Sequence, residues 1–140
     1  VTSITALTAV RLDREVWRDL QMSESYREVI AWQKAKSLAL DVYRLTRKFP
    51  KDEAYGLSSQ MRRSFDTSNL AEGKGRYSKK EFLQFLYVAR GSLLELETQV
   101  SIAHDLGYVD SFTFKQTETK TKELGRILNG LVSRFQQQVS

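Results

Sequence analysis

Cysteine is absent from this 140-residue chain, which rules out disulfides and thiolate metal sites and makes a reducing cytoplasm the expected home. One histidine in the whole sequence leaves little for a Ser-His-Asp triad to draw on. That residue, His104, stands beside Asp105 near the end of an expected helix, where a cation suits the negative terminus. A Glu three positions before it would suggest a di-iron bundle, but position 101 is Ser. No apolar run reaches the roughly 20 residues of a membrane span, so no membrane partner is expected. With a single proline and seven glycines, the chain is poor in the punctuation of a turn-rich β protein.

What is present is charge and helical period. Lys and Arg number 22 against 17 Asp and Glu, a net charge of +5 that favours an acidic partner, nucleic acid ahead of membrane or acidic protein. Apolar and small residues recur in alternating steps of four and three, which keeps them on one helix face. The first stripe is Ala31, Ala35, Leu38, Val42, Leu45 and Phe49, ended by Pro50. The second, weaker stripe is Leu57, Met61, Ser64, Ser68 and Ala71. Phe82, Leu86, Ala89, Leu93, Leu96, Val100 and Ala103 form the third, with Gly107 just beyond. The fourth is Phe114, Thr117, Thr121, Leu124, Leu128, Leu131 and Phe135, with Asp110 as its expected N-cap. Short connections near 50–53, 73–78 and 107–110 make neighbouring helices antiparallel. The expected fold is therefore all-α, an up-down-up-down four-helix bundle over 22–140. Residues 1–21 read as a tail outside the core, with Met22 a sensible start for a cytoplasmic protein.

Residues 69–82 combine a glycine hinge with a helix start. Gly73 suits a left-handed helix terminus, and Ser78 with Glu81 has capping-box spacing. Lys79 and Lys80 then fall in a first turn, where the helix dipole disfavours cations by about 0.3–1 kcal/mol each. Either an anion neutralises them or both extend into water beside Glu81. The neighbouring Gly73-Lys74-Gly75-Arg76 lacks Walker spacing, and Glu95 and Glu97 are two apart and poorly placed as a carboxylate pair. An enzyme is not expected, and no cofactor or metal is implied.

Several blocks, in order, resemble the 23S rRNA intervening-sequence proteins: Ile30-Ala31-Trp32-Gln33-Lys34-Ala35, Val42-Tyr43-Arg44-Leu45-Thr46 and Gln60-Met61-Arg62-Arg63. Asn69-Leu70-Ala71-Glu72-Gly73, Lys80-Glu81-Phe82, Gly91-Ser92-Leu93 and Leu106-Gly107-Tyr108 continue the similarity, which spans about 26–135. The resemblance implies a left-handed antiparallel bundle assembled as a homopentamer. It also points to relatives among accessory proteins of diversity-generating retroelements, in which a basic ring engages nucleic acid and a reverse transcriptase. One departure is that Ser64-Phe65-Asp66-Thr67-Ser68 is about two residues shorter than the family pattern and lacks its proline. Two residues rotate a helix face by about 200°, so the second helix is expected to pack or kink differently.

Two functions compete. In the first, nucleic acid of either kind, RNA or DNA, is held by its phosphates. The contacts would be Arg44, Arg47, Lys48 and Lys51 at one end of the bundle, Lys74, Arg76, Lys79 and Lys80 at the other, and Arg62 and Arg63 between. Tyr77 could stack on a base. In the second, the chain is a scaffold that holds a protein partner by apolar surface and by the acidic strip Glu95, Glu97 and Asp105. Apolar groups off the main stripes, Trp32, Tyr43, Leu83, Phe85, Tyr87, Leu94 and Ile102, suggest a subunit interface in a homo-oligomer. Of these, Trp32, Tyr43, Leu83, Phe85 and Tyr87 are its expected centre.

Overall fold

The computed structural model describes residues 24–54, 56–64 and 78–139. Among them all regular structure is helical: α1 (Glu24–Arg47), one 3-10 turn (Lys51–Glu53), α2 (Leu57–Ser64), α3 (Lys79–Asp105) and α4 (Ser111–Val139). The proposed tail 1–21 lies outside the described residues, as do residues 65–77.

The stripes become the core. Every member of the first one is buried, from Ala31 and Leu38 at 0 % exposure to Leu45 at 9 %. On α3, Phe82, Leu86, Leu93, Leu96, Val100 and Ala103 are buried, and on α4 so are Leu124, Leu128, Leu131 and Phe135. Thr117 and Thr121 share that α4 stripe, and their hydroxyls donate to the carbonyls of Thr113 and Glu118 at 2.9 Å, so among the described residues no buried side-chain polar atom is left without a partner.

α3 packs on α2 and α4, and α1 does the same. The Phe82 ring lies 4.9 Å from Phe135 and the His104 ring 4.4 Å from Phe114, so α3 and α4 are antiparallel. Lys34 reaches Glu123 and Lys120 reaches Asp41, which makes α1 antiparallel to α4 as well. Phe49 and Tyr108, with ring centroids 5.2 Å apart, tie the exit of α1 to the exit of α3. The end of α1, the end of α3 and the start of α4 therefore share one end of the bundle. The start of α3 and the end of α4 share the other.

Local chemistry sets the helix boundaries. After α1, Lys48 and Phe49 donate to the carbonyls three residues back at 3.1 Å, and Pro50 cannot continue the ladder. α3 ends in a Schellman motif: Tyr108 N–H bonds Ala103 O at 2.9 Å and Gly107 N–H bonds His104 O at 3.0 Å. Gly107 has φ 81°, the left-handed region that glycine enters without strain. At the start of α3, Ser78 Oγ accepts the Glu81 N–H at 3.2 Å. The Glu81 carboxylate turns to the Ser78 hydroxyl at 3.3 Å.

Buried polar contacts hold the short α2. The Ser64 hydroxyl sits 2.9 Å from Gln99 Oε1 and 2.7 Å from the Gln60 carbonyl. Met61 is fully enclosed. Ser68 and Ala71 of the expected second stripe, and the shortened 65–68 stretch, lie outside the described residues.

Candidate nucleic-acid interface

The last two turns of α1 present cations on two sides. Arg44 and Lys48, four apart, turn toward α4 and line a cleft of about 210 Å³ together with Tyr108, Asp110, Gln116 and Lys120. Arg47, four after Tyr43, stands on the side facing α2, where Arg62 lies over the Tyr43 ring at 5.0 Å. Lys51 opens the 3-10 turn, and Arg63 is exposed on α2. Arg47, Lys48, Lys51 and Arg63 form no ion pair among the described residues.

Neighbouring acids already engage other members of the set. Arg44 lies 3.5 Å from Asp41, whose carboxylate also accepts from Lys120. Arg62 Nε donates to Thr46 Oγ1 at 2.8 Å, so this cation is a tie between α1 and α2. Asp110 caps α4, accepting the Thr113 N–H at 2.7 Å. That bond first, and the charge of Lys48 to a lesser degree, hold its carboxyl below the usual Asp range. Tyr108 is pushed up, by burial first and then by the Glu53 carboxylate beside it.

Lys79 and Lys80 are exposed in the first turn of α3, with Glu81 the one acid there. They sit at the opposite end of the bundle from Lys48, since α3 spans 27 residues at about 1.5 Å each. Lys74 and Arg76, together with Tyr77, lie outside the described residues. The structure thus brings Arg44, Arg47, Lys48, Lys51, Arg62 and Arg63 to the end of the bundle where α1 exits, Arg44 and Lys48 on its α4 side and Arg47, Arg62 and Arg63 on its α2 side, and leaves Lys79 and Lys80 apart.

The residues expected at a subunit interface do not all face outward. Leu83 is 5 % exposed and belongs to the core of its own subunit, because α3 meets α2 on one side and α4 on the other and so buries a broad face. Trp32 and Tyr87 are half-buried against the core. Lys36 lies 5.3 Å over the Trp32 ring, and Gln136 bonds the Tyr87 hydroxyl at 2.7 Å. Phe85 is half-buried too, and Tyr43 is half-exposed beneath Arg62. The outward apolar surface lies further along α3, at Val88, Leu94 and Ile102, with Leu94 at 59 % exposure. Gly91 stands among them, and a methyl group added there would meet nothing within 4 Å.

His104 stacks on Phe114 with planes 15° apart and lies 3.3 Å from the Ser111 hydroxyl, joining the end of α3 to the start of α4. Sequence spacing gave no sign of the Asp41–Lys120 pair, whose partners are 79 residues apart. Nor did it mark the exposed Phe112 at the start of α4. Among the described residues no helix is long and apolar enough to cross a membrane.

Comparison with known proteins agrees with this architecture. A crystal structure of a protein of unknown function from the S23 ribosomal protein family, from Bacteroides thetaiotaomicron, superposes with a TM-score of 0.70. The two share 18 % sequence identity over 79 % of this chain and 98 % of that one, a likeness of fold. No curated protein matches. The family model of the 23S rRNA-intervening sequence protein matches residues 27–130, so this chain belongs to the 23S rRNA-intervening sequence protein family.

Proposed function

We propose that the protein is a non-catalytic homo-oligomeric bundle that binds nucleic acid by its phosphates, chiefly through the corner where α1 ends. The carrying observation is the group Arg47, Lys48, Lys51 and Arg63, all exposed and without an ion pair among the described residues. Arg44 and Arg47 also complement the C-terminal dipole of α1, so the corner serves the fold and a polyanion together. Phosphate contacts position a protein without reading sequence, and weak sequence preference is the consequence. The rRNA-related family description and the ribosomal name of the structural neighbour support the same partner class. His104, committed to packing between α3 and α4, supports a non-catalytic role.

For self-association the supporting feature is the outer face of α3. Val88, Gly91, Leu94 and Ile102 offer apolar surface interrupted by Glu95 and Thr98, and at Gly91 a second helix can approach closely. Family resemblance implies five subunits, and a ring would repeat the basic corner and raise avidity. The same surface favours the competing scaffold reading, in which it holds a different protein.

One comparison separates them. Wild type is expected to co-purify with nucleic acid, read as an absorbance ratio, and a variant with Arg47, Lys48, Lys51 and Arg63 all changed to Ala is expected to lose it at unchanged oligomer mass. A wild type free of nucleic acid that binds no RNA or DNA at low salt would establish the scaffold reading instead.

A further inference from the structure

Phe112 is the most exposed large apolar residue described, at 71 %. It lies in the first turn of α4, two residues after Asp110 and one turn before Gln116, both of which line the α1–α4 cleft. Four-residue spacing puts Phe112 about 40° from Gln116 around the helix, so Phe112 stands next to the cleft-lining face of α4 without being part of the lining. Tyr108 contributes a second ring to the cleft wall. The charges there are Arg44, Lys48 and Lys120 against Asp41 and Asp110. Asp41 is matched by Lys120 and Arg44, and Asp110 is occupied by the α4 N-terminus, so one positive charge is left over. At about 210 Å³ the cleft is smaller than the roughly 300–1,000 Å³ of sites that enclose a whole drug-sized ligand. It suits one unit of a longer chain.

An exposed aromatic ring beside an excess positive charge is the arrangement by which proteins hold unpaired bases, the ring stacking on a base while the cation meets the backbone. We infer that the α1–α4 cleft is a subsite for one unpaired nucleotide of a single-stranded polynucleotide, its base stacked on Phe112 and its phosphate held by Lys48. In a duplex, bases are already stacked on their neighbours and cannot reach the ring. The subsite rests on the nucleic-acid reading above and narrows it from any polyanion to single strands.

The test uses the full chain with fluorescein-labelled oligouridine, oligothymidine and a duplex of equal length, followed by anisotropy. Wild type should bind both single strands more tightly than the duplex. F112A should weaken single-strand binding about tenfold, change duplex binding less than twofold, and leave the salt slope intact because no charge is removed. F112W should restore binding. Equal affinity for duplex and single strand, or an F112A variant that binds single strands as wild type does, overturns the subsite while leaving phosphate binding in place. Failure of all three probes to bind wild type removes both. A smaller oligomer mass for F112A, measured by light scattering, would make Phe112 a subunit contact and also overturn the assignment.

Discussion

Arg62 Nε donates a hydrogen bond to Thr46 Oγ1 at 2.8 Å, and the Thr46 hydroxyl in turn donates to the Val42 carbonyl at 2.8 Å. One relay thus fastens α2 to the final turn of α1, with the guanidinium lying over Tyr43. R62K keeps the charge but loses the planar donor. It is expected to cost about 1–2 kcal/mol of stability, read by urea unfolding, and to change nucleic-acid affinity by less than twofold. The neighbouring R63A variant should behave oppositely, near neutral in stability and weaker in binding.

Leu96 is fully enclosed on α3. Leu96→Ala should destabilise by about 2–5 kcal/mol, the usual range for a cavity in a close-packed core. Thermal and urea unfolding would check it together. By contrast, a Cβ built on Gly125 of α4 meets only Leu93 Cδ2, at an ordinary 3.6 Å. Gly125→Ala is therefore expected to stabilise by about 0.5–1 kcal/mol, since alanine costs less backbone entropy in a helix.

Asp110 has its carboxyl held low by the Thr113 N–H and the charge of Lys48. A depressed folded pKa means stabilisation that is complete above the unfolded value of about 3.9 and is lost as pH falls through the lower folded value. The melting-temperature gap between wild type and D110A should be full near neutral pH and shrink in that acid window. A gap that is constant down to the acid unfolding limit would contradict the cap.

Leu94 tests the outer face of α3. Leu94→Glu places a charge within the apolar surface formed by Val88, Gly91 and Ile102. The expected outcome is a smaller particle by light scattering with helix content unchanged, because the residue is 59 % exposed in the subunit.

The four apolar stripes were legible because a helix core obeys a 3.6-residue period, and those described were buried almost member for member. For Leu83, period alone left open a subunit interface or a broad face between two neighbouring helices, and its burial favours the second. α3 has neighbours on two sides and buries residues well off its main stripe. Gln99 was invisible for a related reason: its place in the core depends on Ser64, 35 residues away, donating its hydroxyl to the Gln99 side-chain oxygen. The basic corner was legible as a charge run. Sequence could not say that Arg62 would be drawn inward by Thr46, or that Asp41 would face Arg44 and Lys120. Those neighbours are fixed by helix packing and not by local order.

Salt dependence of binding is the most direct test of a phosphate-gripping corner. With four to six phosphates neutralised, the log of the affinity for a single-stranded RNA should fall against log salt with a slope of about −3 to −4. R63A should reduce that slope by about one. A response that is flat from low to moderate salt, or identical in wild type and in the variant lacking Arg47, Lys48, Lys51 and Arg63, would contradict it.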